Sequence, residues 1–226
     1  DDADFTKQVV RVVLSWDMGH SGRKDGHVEW SFWTSAHDTN SLAFKRDFAP
    51  AAAGLGGRAR LTPHYLVRSG KSLGCKPWGD FDCGQQCTNN GRYCFEDPDG
   101  DMNHGLDGKD VVMQSLQQLC VFNVTSAADG GVGAEEWRWW RFLSAFNDQC
   151  TGSTTANPPG MSPATACRDD PTKVERIMRQ YGIDPALVNR CIALSGGLAD
   201  THANALLDAQ LLSLIHISEP TRLSTI

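Results

Sequence analysis

The sequence predicts an α/β fold joined to a disulfide-rich helical part, and three observations carry that prediction. Strand and helix patterns alternate through the first 70 residues, all eight cysteines lie beyond residue 74, and apolar stripes at helical spacing prevail from Lys109 onward. Val9–Trp16 (VVRVVLSW) is β-branched enough for a strand, and the glycine-rich stretch after it is a loop carrying His20 and His27. Val28–Thr34 (VEWSFWT) alternates, with Val28, Trp30 and Phe32 on one face and Glu29, Ser31 and Trp33 on the other. Asp38 can cap a helix through Phe44 and Phe48 that ends before the glycines at 54–57. Arg58–Val67 reads as a further strand, pushed toward an edge or a bulge by Pro63. Strand, helix and strand in so short a span make one βαβ unit.

From Lys71 to Gly108 the chain is crowded with Gly, Asp, Asn and Pro around four cysteines, so crosslinks are expected to hold it more than a core. Helices are predicted over Lys109–Cys120, over Glu135–Cys150 with Trp139, Phe142, Leu143, Phe146 and Cys150 as its apolar stripe, from Pro171 to Gly182, and from Asp184-Pro185 through Cys191. Thr151–Pro163 is a small polar linker. Cysteines on these helices are placed to staple them together.

The 226 residues suffice for one sizeable core, with or without a satellite. The net charge is −6 with no Lys/Arg stripe, which argues against nucleic acid or an anionic membrane surface as partner. No apolar run approaches the roughly 20 residues that span a bilayer. The chain opens at Asp1 with neither an initiator Met nor a signal segment, which reads as processing or as a piece of something longer. At the other end, Leu212–Arg222 (LSLIHISEPTR) has a permitted codon choice that spells a sequencing-library adapter. Residues 212–226 are therefore expected to be an artefactual tail.

Cys75, Cys83, Cys87, Cys94, Cys120, Cys150, Cys167 and Cys191 are an even set confined to one region, the pattern of a disulfide framework made in an oxidising lumen. Zinc is the rival, but only Cys83-x₃-Cys87 has short ligand spacing and no second pair follows it. The pairing itself stays open. The sequon Asn123-Val124-Thr125 fits a luminal N-glycan on Asn123.

Catalytic readings fail on particular residues. A strand ending at Thr34-Ser35-Ala36-His37-Asp38 before a helix is where thioredoxin-like enzymes hold Cys-x-x-Cys, and no cysteine stands there. Ser35, His37 and Asp38 are too close in sequence for a hydrolase triad, and no Gly-x-Ser-x-Gly elbow presents a nucleophile. Gly70-Lys71-Ser72 ends like a phosphate loop, yet Tyr65 stands where its first glycine belongs. Asp97, Asp99 and Asp101 alternate as in a calcium loop, but Met102 and Gly108 occupy the positions of its glycine and its bidentate acid. They are weak metal candidates, and an acidic turn leading into a helix is the stronger reading. Trp137, Trp139 and Trp140 give one helix more aromatic surface than a single core face needs. Trp137 and Trp140 are the candidates for a partner surface.

Gln86-Cys87-Thr88-Asn89-Asn90-Gly91-Arg92-Tyr93-Cys94, then Asp97-Pro98, then Gly108-Lys109-Asp110-Val111-Val112 closely resemble plant- and algal-type vacuolar sorting receptors. Leu116–Val124 (LQQLCVFNV), Trp139-Trp140 and Cys150 follow at similar distances, Val28–Asp38 resembles the receptors' VEYEFWTNSND region, and Tyr181-Gly182-Ile183-Asp184 with Cys191 resembles their "GID…KC" stretch. The similarity runs from about Phe5 to Leu211.

The resemblance implies a thioredoxin-like domain, its sheet incomplete here, carrying a disulfide-bonded helical insertion. On that reading residues 1–8 are the tail of a preceding protease-associated domain, 9–70 the βαβ part and 71–211 the insertion. It further implies a luminal, non-enzymatic part of a single-span membrane receptor in the Golgi and prevacuolar compartments. Its expected partners are soluble vacuolar cargo proteins and the neighbouring protease-associated and EGF-like domains of the full-length chain. No cofactor is expected, calcium being left to the full-length receptor. The sequence departs from the family where Thr39, Asn40 and Ser41 replace cysteines after the "NSND" turn, and the last strands of the sheet fall beyond Leu211. No cargo-contacting residue carries over. The rival functions are a luminal thiol oxidoreductase and a structural spacer.

Overall fold

The computed structural model describes residues 28–55, 59–102, 104–128, 136–151, 166–199 and 202–218. The strand expected over Val9–Trp16, the loop with His20 and His27 and nearly all of the linker after Thr151 lie outside these residues. β1 (Val28–Thr34) and β2 (Ala59–Tyr65) pair in parallel, joined by α1 (Thr39–Leu55). Register places Trp30, Phe32 and Thr34 beside Leu61, Pro63 and Tyr65, all buried on one face. Glu29, Ser31 and Trp33 meet Arg60, Thr62 and His64 on the other, where the Trp33 and His64 rings stack at 4.7 Å. The alternation thus became a half-buried strand, and Pro63 sits in a strand that pairs with β1 alone among the described residues.

Between the sheet and the helices the chain forms three short strands, β3 (Arg68–Ser69), β4 (Cys87–Thr88) and β5 (Tyr93–Cys94), in the antiparallel order β3-β5-β4. Sequence patterning missed them because two-residue strands leave no period to read. The turn joining β4 to β5 places Asn89, Asn90 and Gly91 at positive φ (51°, 54° and 81°), a left-handed run that asparagine and glycine tolerate. Gly70 is also required, since a Cβ there would lie 1.6 Å from the Gly91 carbonyl oxygen.

The helices are α2 (Gly108–Ala128), α3 (Glu136–Cys150), α4 (Ala166–Asp169), α5 (Pro171–Gln180), α6 (Pro185–Leu194) and α7 (Ala205–Ser218). Pro171 opens α5 and Asp184-Pro185 caps and opens α6, as their sequence signals predict, and the structure adds Asp170 as the cap of α5, both aspartates accepting from the backbone two residues on. α2 runs well past Cys120, and α7 carries no cap pattern that the sequence reading used. The expected boundary at residue 212 falls inside α7, where Leu212 is exposed and the buried Ser213 donates to the Gln210 carbonyl. No helix of the described residues is long and apolar enough to cross a membrane.

One apolar core runs through β1, β2 and helices α2, α3, α5 and α6. Buried residues on both sides of residue 71 contribute to it. Trp140 is its aromatic centre, stacked on Trp30 at 6.4 Å and 4° and flanked by Phe32 at 6.0 Å and Phe48 at 5.8 Å. Four disulfides complete the frame: Cys75–Cys83, Cys87–Cys94, Cys120–Cys191 and Cys150–Cys167. The third ties α2 to α6 and the fourth ties α3 to α4, the stapling that cysteines on helices implied.

Candidate functional site

The turn between β1 and α1 occupies the position that thioredoxin-like enzymes use for thiol chemistry. Its polar groups bond inward. Ser35 Oγ accepts from the backbone N–H of His37 and of Asp38, both at 3.2 Å, while Ser41 Oγ accepts from Ser35 N–H at 3.2 Å. Asp38 Oδ2 accepts from Ser41 N–H at 2.7 Å and so caps α1 as its sequence position predicts. Lys45, one turn further along α1, returns its Nζ to the Ser35 carbonyl at 2.8 Å. His37 Nε2 donates to Gln114 Oε1 on α2, and Asn147 on α3 donates to the Leu42 carbonyl at 3.5 Å.

Burial sets the electrostatics of this cluster. Lys45 is 1% exposed, and desolvation pulls its ammonium down to about 7 against the opposing pull of Asp38. His37 is 9% exposed, and desolvation lowers its imidazole to about 4, with the Gln114 hydrogen bond opposing and Lys45 reinforcing. His37 is therefore neutral at pH 7. Both serine hydroxyls are fully enclosed and engaged by backbone N–H groups. The turn holds no sulfur, Asp38 is its half-buried member, and its hydrogen bonds tie β1, α1 and α2 together.

The acidic turn uses its carboxylates locally. Asp97 Oδ1 accepts from Asp99 and Gly100 N–H at 3.0 and 2.7 Å, Asp99 accepts from Asp101 and Leu106 N–H at 3.0 and 3.1 Å, and Asp101 meets His104 at 3.2 Å. These bonds shape the approach to α2. Among the described residues, the only grouping of three His, Cys, Asp or Glu ligand atoms is Cys75, Cys87 and Cys94, and all three are disulfide-bonded.

The two candidate tryptophans separate. Trp140 is 2% exposed, which corrects its assignment to a partner surface: at helical spacing it points between β1 and α1, where Trp30 and Phe48 enclose it. Trp137, one turn earlier, is 39% exposed with the Arg141 guanidinium 5.0 Å over its ring. Asn123 is exposed on α2, whereas the hydroxyl of Thr125 in the same sequon is buried and donates to the Val121 and Phe122 carbonyls.

Two features escaped the sequence reading. The Asn89 amide donates to the carbonyls of Gly197, Ala199 and His202 at 2.8–3.3 Å, clamping the β4–β5 turn to the segment between α6 and α7. Beside it Tyr93 OH donates to Asp208 at 2.7 Å and accepts from Asn204 N–H at 2.7 Å, and burial with the Asp208 carboxylate raises its phenol to about 12. Asn-Asn-Gly announces a turn, but nothing in it names a partner more than 100 residues away. The second feature is the loop closed by Cys75–Cys83, which exposes Phe81 by 68% and Trp78 by 43%. Aromatic residues amid Gly and Asp inside a short cysteine loop were the available signal.

Comparison with known proteins places these features in a family. The family model described as vacuolar sorting receptor thioredoxin-like domain matches residues 28–222. Vacuolar-sorting receptor 1 of Pisum sativum is 30% identical over 224 residues, covering 92% of this chain and 31% of the relative. Vacuolar-sorting receptor 4 of Arabidopsis thaliana is 30% identical over 199 residues, covering 81% of this chain and 27% of the relative. The chain thus spans about a third or less of the length of these curated relatives.

Proposed function

The chain belongs to the vacuolar sorting receptor family, and from that premise we propose that it is a luminal, non-catalytic module that binds soluble cargo proteins in the Golgi and helps route them to the vacuole. The observation that carries the non-catalytic part is the β1–α1 turn. Where a thioredoxin-like reductase needs an accessible thiolate, this turn carries Ser35, His37 and Asp38 with their polar atoms consumed by α1, Lys45 and Gln114. All eight cysteines are paired, which fits an oxidising lumen and rigid presentation of a surface. Asn123 is an exposed site for a luminal N-glycan on this reading.

Trp137 is the proposed contact on the helical side, because a half-exposed indole backed by Arg141 offers apolar area with a polar rim. Cargo or a neighbouring domain of the longer receptor is the partner. The test is direct binding of the folded chain to soluble vacuolar proteins carrying sorting determinants, with Trp137→Ala alongside. Binding that weakens several-fold in the variant, at unchanged melting temperature, supports the reading. Equal binding by both forms removes Trp137 from it, and no binding by the chain moves cargo recognition elsewhere in the receptor. Insulin reduction above background would replace the whole proposal with the oxidoreductase.

A further inference from the structure

Two of the four disulfides touch. Cys75 Sγ, bonded to Cys83, lies 3.8 Å from Cys87 Sγ, bonded to Cys94, and the sulfurs of Cys75, Cys87 and Cys94 all fall within 4.8 Å of one another. That is van der Waals contact between two bridges, whose four cysteines form one small cluster of their own. Access to them is unequal: Cys75 and Cys94 are fully buried and Cys87 is 9% exposed, while Cys83 is half-buried in the exposed loop that carries Trp78 and Phe81.

We propose that this sulfur cluster is a thiol-exchange relay, entered at Cys83 by a low-molecular-weight thiol and discharged at Cys94. An incoming thiolate attacks Cys83 Sγ, forms a mixed disulfide there and breaks the Cys75–Cys83 bond, whose electron pair leaves on Cys75 Sγ. Exchange is governed by access and by the proximity of the next sulfur. The Cys75 thiolate attacks Cys87 Sγ, forms Cys75–Cys87, and the electron pair leaves on Cys94 Sγ, which takes up the proton shed by the incoming thiol. Two S–S bonds and one thiol stand on each side, so no further oxidant or reductant enters.

The consequence is local. Cys87–Cys94 joins β4 to β5 directly across their register, and the turn between them carries Asn89, whose amide holds the segment between α6 and α7. Opening that bridge frees the hairpin that supports the clamp while Cys120–Cys191 and Cys150–Cys167 stay intact. The molecule contains its own control. Cys191 is likewise half-buried, but its partner Cys120 belongs to no sulfur grouping among the described residues, so a thiolate released there has nowhere to pass.

The experiment incubates the oxidised, folded chain with reduced glutathione, quenches in acid, alkylates the free thiol and maps both modifications by mass spectrometry. The expected species with glutathione on Cys83 carries the alkyl label on Cys94 together with a Cys75–Cys87 linked peptide. Molecules with glutathione on Cys191 carry the label on Cys120. In the Cys87→Ser/Cys94→Ser variant the label on the Cys83-modified species moves to Cys75. A label on Cys75 in the unaltered chain, with Cys87–Cys94 intact, overturns the relay, as does glutathione entering this cluster at any sulfur but Cys83. If the double variant does not fold, the map of the unaltered chain decides alone.

Discussion

The aromatic region built from β1, α1 and α3 and the crosslinked region from Lys71 to Asp107 are ordered by different forces. In the first, Trp30, Phe32, Phe44, Phe48 and Trp140 interlock at centroid distances of 5.1–6.4 Å, and each ring's position follows from its neighbours. In the second, two two-residue strands, two short-loop disulfides and asparagine turns fix the backbone while Phe81 and Trp78 face water. The difference teaches that side-chain size predicts stability only where burial does the ordering. A large aromatic in the crosslinked loop is free to serve a surface because the fold does not depend on it.

Substitution separates the two regimes. Trp140→Ala empties the middle of the aromatic stack, and a buried tryptophan truncated in this way costs about 3–5 kcal/mol. Chemical denaturation should show that loss in full, and a variant within about 1 kcal/mol of the parent would mean that the stack does not organise the region.

Acid probes the polar latch beside that core. His37 titrates near 4 in the folded chain against an ordinary value of 6.5, so the folded state binds its proton last. Stability from this group is complete above about pH 6.5 and is lost as pH falls toward 4, about 3 kcal/mol across the window. His37→Gln should flatten the stability profile between those limits. An unchanged slope would assign the acid sensitivity to other groups.

The crosslinked region should yield most at its clamp. Asn89→Ala removes three donated bonds and places an alanine at positive φ, for a loss of about 2 kcal/mol. Hydrogen exchange should quicken in the segment between α6 and α7 and stay slow in α2. Exchange that stayed slow in both would show that the segment holds itself.

The smallest effect belongs to the most exposed aromatic ring among the described residues. Phe81→Ser should leave stability within about 0.5 kcal/mol, because the ring is 68% exposed and the loop is held by Cys75–Cys83 and by the Phe81 N–H to Gly74 carbonyl bond at 3.2 Å. A larger loss would make that loop a packed element after all and would dissolve the contrast between the regions.

By itself the sequence determined the βαβ unit, the starts of α5 and α6, the helical stapling by cysteines and the resemblance to the sorting receptors. Each rests on a local signal: a two-residue alternation, a capping aspartate before proline, an even cysteine count in one region, or motifs in fixed order. Only the tertiary structure decided which cysteine pairs with which, which of Trp137 and Trp140 faces solvent, and that Asn89 reaches the segment after α6. It also decided that Lys45 and His37 are buried, since one is a helix residue and the other a turn residue of ordinary composition. The physical reason is range: propensity and capping act over a few residues of chain, whereas burial and pairing depend on what the rest of the fold brings alongside.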